Sequence, residues 1–191
     1  KPPARTNVLA TRGVLNTAQP HAERKADRGL FLIGGPSRHH GWDSAGLLAQ
    51  IDAILSATPG MRWTLTTSRR TPAETEAALL TLRERGVDVR PVADTAPGWA
   101  MSQVARSAQA WVTEDSVSMV YESLTAGAAT GLLAVPRLGE TRVTAGVAAL
   151  QREGFVTAFA DWQREGHLRA APTRLAEADR VAEAVLSRWP M

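Results

Sequence analysis

From Gly29 onward, short unbroken apolar runs alternate with longer stretches in which apolar residues recur every three or four positions. Leu30 to Ile33 reads as a buried strand ending in Gly34-Gly35-Pro36-Ser37. Between about Asp43 and Ala57, Leu47, Leu48, Ile51, Ile54 and Leu55 share one helical face. Trp63 to Thr67 is a second strand, and Thr71, Pro72 and Glu74 then have the pattern of a capping box that opens a helix to about Arg85, stopped by Gly86. A third strand, Val87 to Val92, precedes an irregular segment with Pro97 and Gly98 and a short helix around Met101 to Ser107. Strand four is Ala110 to Thr113, strand five Gly131 to Val135, and a sixth β segment is placed at Phe155 to Ala158. An amphipathic helix from about Pro172 to Trp189 closes the chain, with Leu175, Ala178, Ala182, Val185, Leu186 and Trp189 as its stripe. Strands alternating with helices predict an α/β fold, a Rossmann-like three-layer α/β/α sandwich around a mainly parallel sheet of about six strands.

Between strands four and five, the run Trp111 to Gly127 passes from an apolar strand through an acidic, hydroxyl-rich turn straight into a helix. Asp115 suits the N-cap, Val117, Val120, Tyr121 and Leu124 form the inner stripe, and Gly127 suits the stop. Ser118 and Glu122 lie four apart on another face, where a carboxylate can accept hydrogen bonds from two sugar hydroxyls while the helix start holds an anion.

Three loops therefore meet at the carboxyl edge of the sheet, where open α/β domains bind ligands. In the first, Gly34 and Gly35 permit close backbone approach and Ser37 and Arg38 can donate to oxygens. The second carries the pair Arg69 and Arg70, and the third runs through Asp115, Ser116, Val117 and Ser118. The first loop is neither a GxGxxG nor a Walker loop. A helix start contributes about 0.3 to 1 kcal/mol and each charge-assisted hydrogen bond about 1.5 to 3, so together they suffice for micromolar binding of a pyrophosphate, near −8 kcal/mol. A carboxylate about 6 Å from a phosphate repels it by roughly 3 kcal/mol at an effective dielectric of 20. Glu114 and Asp115 must then point away, be offset by Arg69 and Arg70, or hold a cation such as magnesium with the nucleotide diphosphate.

Composition narrows the field. At 191 residues and 44% apolar content the chain can bury one substantial core. Lys1 to Arg28, rich in Pro, Arg and Ala, reads as a linker or the tail of a missing N-terminal domain, and residues 29 to 191 as the folded domain. The start at Lys1 rather than Met points the same way. There are no cysteines, so disulfides and thiolate metal sites are excluded, and the four histidines lack metal-ligand spacing. No apolar run approaches the roughly 20 residues of a membrane span, so the expected place is the cytoplasm, free or peripheral to a membrane. The net charge of +3, with acidic and basic residues interspersed, argues against nucleic acid as partner.

The segments LFLIGGPSRHHGWD, TTSRRTP and VTEDSVSMVYESLTAGAATGLL resemble three signature blocks of the mitochondrial-fission "elongated mitochondria" family, in order and from about Gly29 to the C-terminus. The resemblance implies a two-domain architecture similar to GT-B glycosyltransferases, of which this chain is the C-terminal half. A more distant similarity, to the peptidoglycan N-acetylglucosaminyltransferase and related enzymes, implies that the glycine turn and the helix after strand four hold the pyrophosphate of a UDP- or GDP-type nucleotide sugar. By the same similarity Glu122 binds ribose and the base rests against Val92 to Asp94. The chain departs from those enzymes at Glu114, where they often carry a basic residue, and between Arg137 and Thr144, where no glutamine pair for the donor sugar is recognisable.

The expectation is the nucleotide-sugar-binding half of a glycosyltransferase-like protein, inactive on its own, with no catalytic base assigned. The alternatives are a non-enzymatic scaffold that retains the fold, for which tryptophans in surface segments such as Trp99 and Trp162 would serve docking, and a sugar-nucleotide epimerase or hydrolase.

Overall fold

The computed structural model describes residues 7–188, apart from the side chain of Val143. Six parallel strands form one sheet in the order β3-β2-β1-β4-β5-β6. They are β1 (Lys25–Leu32), β2 (Arg62–Thr66), β3 (Asp88–Arg90), β4 (Ser107–Thr113), β5 (Ala129–Leu133) and β6 (Val156–Ala158). The helices are α1 (Ser44–Ala57), α2 (Ala73–Leu80), α3 (Trp99–Arg106), α4 (Val117–Ala126), α5 (Arg142–Arg152), α6 (Phe159–Glu165) and α7 (Glu177–Arg188). A 3₁₀ segment, Thr81–Arg85, continues α2 to the left-handed Gly86, and a second, Val92–Asp94, follows β3.

The apolar runs are explained by burial on both faces of the sheet. Leu30 and Leu32 of β1, with Ala110 and Val112 of β4, pack beneath Val104 of α3, Val120 and Leu124 of α4, and Val147 and Leu150 of α5. The alternate residues Phe31, Ile33 and Trp111 join Leu47, Ile51 and Ile54 of α1, Leu79 of α2 and Trp162 of α6 on the other face. A strand with no polar face reads as a continuous apolar run, as these do. Right-handed crossovers that move outward from β1 in one direction and from β4 in the other put their helices on opposite faces, and leave a crevice at the carboxyl ends of β1 and β4.

Several elements differ from expectation. The first strand begins at Lys25, well before Leu30, because the polar stretch from Lys25 pairs with β2 at Arg28 and with β4 at Lys25. Helices α5 and α6 had no counterpart in the pattern. The capping box belongs to Thr141 and Thr144 at α5, not to Thr71 and Glu74: Pro72 is the N-cap of α2 and makes no side-chain cap bond. Trp162 is not a surface residue; it is 7% exposed and meets Trp111 edge-on with ring centroids 5.4 Å apart. The last helix starts at Glu177, and its outer residues Val185 and Leu186 are exposed, so the stripe is only partly covered. Trp189 lies outside the described residues.

Candidate functional site

The three expected loops are tied together by hydrogen bonds. Gly34 N–H donates to Thr113 Oγ1 (2.8 Å), and Gly35 N–H donates to Asp115 Oδ2 (3.1 Å). Arg70 donates to the same Asp115 oxygen (2.7 Å) and to the carbonyls of Gly35 and Pro36. Thr71 Oγ1 donates to the carbonyl of Gly34 (2.6 Å) and accepts from Ser68 N–H, which is why it is not available as a helix cap. Side chains larger than hydrogen are excluded at both glycines. A Cβ on Gly34 would sit 2.3 Å from Asp115 Oδ2, and one on Gly35 would sit 2.0 Å from the carbonyl oxygen of Arg70.

The two acidic residues of the third loop are each matched to an arginine. Asp115, its side chain fully buried, pairs with Arg70, and Glu114 pairs with Arg137 Nε at 2.8 Å. Of the three ways to accommodate these carboxylates, charge offset is the one observed, with Arg137 rather than Arg69 as the second cation. Position could have pointed to Arg137, which follows β5 at the same sheet edge. Arg69 is exposed and makes no hydrogen bond or ion pair with any described residue; Arg38 is exposed and donates from Nε to His39 Nε2. Ser37 Oγ accepts from the amides of His39 and His40 (3.2 Å each), which leaves its own proton to donate.

Asp115 does not cap α4. Its carboxylate is taken by Arg70 and Gly35, so the N-cap falls to Ser116, which makes no side-chain cap bond. The first helical bond runs from Val120 N–H to the Ser116 carbonyl, so the amides of Val117, Ser118 and Met119 precede it and have no acceptor within the helix. These amides carry the positive end of the helix dipole and lie beside the glycine turn. Val120, Tyr121 and Leu124 are buried as the spacing predicts, and Gly127 ends the helix in the left-handed region. Ser118 is exposed and Glu122, one turn further along the same side, is half-buried. Burial holds the Glu122 carboxyl above its usual range, and among the described residues no donor answers it.

Glu114 and Asp115 are already bound to guanidinium groups, and no group of three or more His, Asp or Glu side chains among the described residues is placed to hold a metal. Beside Arg137 lies a cavity of about 410 Å³ lined by Glu140, Thr144, Ala148 and Arg152.

No curated protein matches the sequence significantly. Among solved structures, the chain is similar to the E. coli heptosyltransferase WaaC with ADP, at 12% identity and a TM-score of 0.46, over 88% of this chain and 46% of that one. It is also similar to Phytolacca americana UGT2 complexed with UDP-2fluoro-glucose and pterostilbene, at 13% identity and a TM-score of 0.44, over 86% of this chain and 33% of that one. A GtfA/B complex gives 12% identity and a TM-score of 0.44, over 92% and 38%. The chain thus spans less than half the length of each of these structures. The family profile described as mitochondrial fission ELM1 matches residues 1–189, almost the whole sequence, and the chain belongs to that family.

Proposed function

We propose that the carboxyl edge of this sheet binds a nucleoside diphosphate sugar of UDP or GDP type, as the donor-binding half of a GT-B-like glycosyltransferase. The observation that carries this reading is the pairing, on one helix, of an N-terminus without a side-chain cap at the strand crossover with a half-buried Glu122 carboxylate that has no partner among the described residues. Glu122 lies five residues beyond Val117, about 7.5 Å further along the axis at 1.5 Å per residue, so the helix start and the carboxylate can be reached by different parts of one extended ligand. In this reading the amides of Val117 to Met119, Ser37 Oγ–H and Arg69 take the phosphoryl oxygens, and Glu122 accepts from the two ribose hydroxyls. Arg70 is spent on Asp115 and shapes the glycine turn instead. Transfer of the sugar leaves a diphosphate with added negative charge, and donors fixed at its oxygens stabilise that charge as it develops. The cavity beside Arg137 offers room for the sugar. In the GT-B architecture the acceptor and the base come from a second domain, so this chain alone is expected to bind donor without turning it over.

Calorimetric titration with UDP, GDP and their sugars tests the reading. Micromolar binding of one nucleotide series is expected, and a folded sample that binds none of them would refute it. Because the acidic residues are matched to arginines, EDTA is expected to change that affinity by no more than about twofold; strict dependence on magnesium would contradict the site as drawn.

Glu122→Gln should separate binding from stability. Loss of charge-assisted bonds of about 1.5 kcal/mol or more weakens nucleotide binding at least about tenfold. The fold responds in the opposite sense. A carboxyl raised by burial binds its proton more tightly folded than unfolded, so its contribution is fully present below the unfolded value and is lost as pH rises through the folded one. At pH 7 the variant should therefore be more stable by a few tenths of a kcal/mol, a figure kept small by partial solvent exposure, and the difference should vanish in acid. Urea unfolding at pH 7 and pH 4 measures it.

A further inference from the structure

His40 is the buried polar side chain at this edge that the reading above leaves without a task. It is 2% exposed, and its Nδ1 is buried with no hydrogen-bond partner among the described residues. Its backbone is held from several sides: the amide donates to Ser37 Oγ, the carbonyl accepts from Ser37 N–H (2.9 Å), and His40 bridges to Arg137 in antiparallel fashion. Gly41 N–H donates to the Pro136 carbonyl (2.8 Å) and Leu138 N–H to the His39 carbonyl (3.0 Å), so the loop after β1 and the loop after β5 form one unit around the imidazole. A buried nitrogen without a partner is costly and calls for an explanation, of which use in function is one.

The charges around the ring act in both directions, and the two carboxylates outweigh the two cationic or titratable groups that oppose them. Glu114 and Asp115 from the loop before α4 favour its protonated form, while Arg137 from the loop after β5 and His39 from its own loop oppose it. Burial is the largest influence and holds His40 below the usual histidine range. Both nearby carboxylates are themselves ion-paired, Asp115 with Arg70 and Glu114 with Arg137. Ser37, whose hydroxyl accepts the His40 amide, is itself a candidate donor to phosphate, so an anion on Ser37 would be held by the same short loop that carries the imidazole.

We propose that His40 is a proton-linked counter-charge for the anion site: a phosphoryl group bound between Ser37 and the start of α4 is accompanied by proton uptake on the His40 imidazole. The inference rests on the anion site of the proposed function but not on the nucleotide or the sugar. By linkage, an anion that raises the proton affinity of His40 binds more tightly as pH falls through the ring's titration. His40 is a positioning residue, and its effect reads out as a pH profile rather than as simple loss of the fold.

Sulfate is a suitable probe because its charge is constant between pH 5 and pH 8. The imidazole resonances of the intact chain would be titrated in sulfate and in sodium chloride of equal ionic strength, with His40→Asn identifying the His40 signal. The expected result is an upward shift of the His40 midpoint by about half a unit or more in sulfate alone, with His21 and His167 unmoved. An unmoved His40, or an equal shift in chloride, would overturn the inference. UDP-glucose, whose diphosphate also keeps its charge over this range, separates the two readings: its affinity should fall at least about threefold from pH 6 to pH 8 in the native chain and stay level in His40→Asn. A sulfate-linked shift without UDP-glucose binding would sustain the proton linkage and defeat this nucleotide as ligand. UDP-glucose binding that is independent of pH would defeat the linkage and leave the donor site standing.

Discussion

Arg70→Ala is expected to cost about 3 kcal/mol of folding stability, far more than loss of an ordinary surface arginine. Removing one partner of a buried pair leaves the other charge stranded, at about 3 to 5 kcal/mol, and the half-exposed position of Arg70 places this case at the low end. The Asp115 side chain is wholly buried, and among the described residues its one remaining donor would be Gly35 N–H. The change would also free the carbonyls of Gly35 and Pro36, so the turn after β1 should loosen and anion binding should weaken with it. Urea unfolding measures the cost. The double variant Arg70→Ala with Asp115→Asn identifies the cause: if the stranded charge dominates, the amide recovers more than half of the loss, since it can still accept from Gly35. No recovery would show that the guanidinium acts by packing alone.

Gly35→Ala is the second large effect, expected at about 2 to 4 kcal/mol. The added Cβ would lie 2.0 Å from the Arg70 carbonyl oxygen and 2.3 Å from its carbon, backbone atoms that cannot turn aside as a side-chain tip would. The turn after β1 must then move away from the turn after β2, which strains the Gly35 to Asp115 bond and the Arg70 clamp together. Nucleotide binding should be lost along with stability, whereas Glu122→Gln loses binding while the fold gains. Gly60→Ala makes a fair control, since a Cβ there would meet nothing within 4 Å. Equal unfolding midpoints for the two alanine variants would contradict the close approach at Gly35.

The parts of this fold that could be read in the chain are those in which local pattern and tertiary burial agree. The parallel strands are apolar on both faces, and α1 keeps Leu47, Ile51 and Ile54 on its buried side, so periodicity alone found them. Helix α5 escaped because its sequence mixes two glycine and threonine helix weakeners with a cap made of two threonines, not the Ser/Thr with Glu/Gln of the usual signature. At seven residues α6 is too short to show a period. Lys25 to Arg28 looks like linker because those side chains are exposed or only partly buried, although the backbone is ordered by pairing.

At the site, the sequence placed the three loops together, and topology does the same. What it misjudged was the use of individual polar groups. Thr71 and Asp115 both have the chemistry of helix caps, but each found a partner from another loop, the Gly34 carbonyl for one and Arg70 for the other. Local spacing carries no information about such partners, since the Arg70 to Asp115 contact joins residues 45 positions apart. The diversion of Asp115 is also what leaves the start of α4 uncapped, and so available to a ligand.

The most direct measurement of the central claim is an amide chemical-shift map of the folded chain during titration with UDP-glucose and GDP-mannose. One of them is expected to shift the amides of Gly34 to Ser37 and Val117 to Met119 first, with Glu122 following, and to leave the opposite edge of the sheet around Gly86 and Gly127 unmoved. Saturable shifts centred away from these loops, or none with either nucleotide sugar, would contradict it.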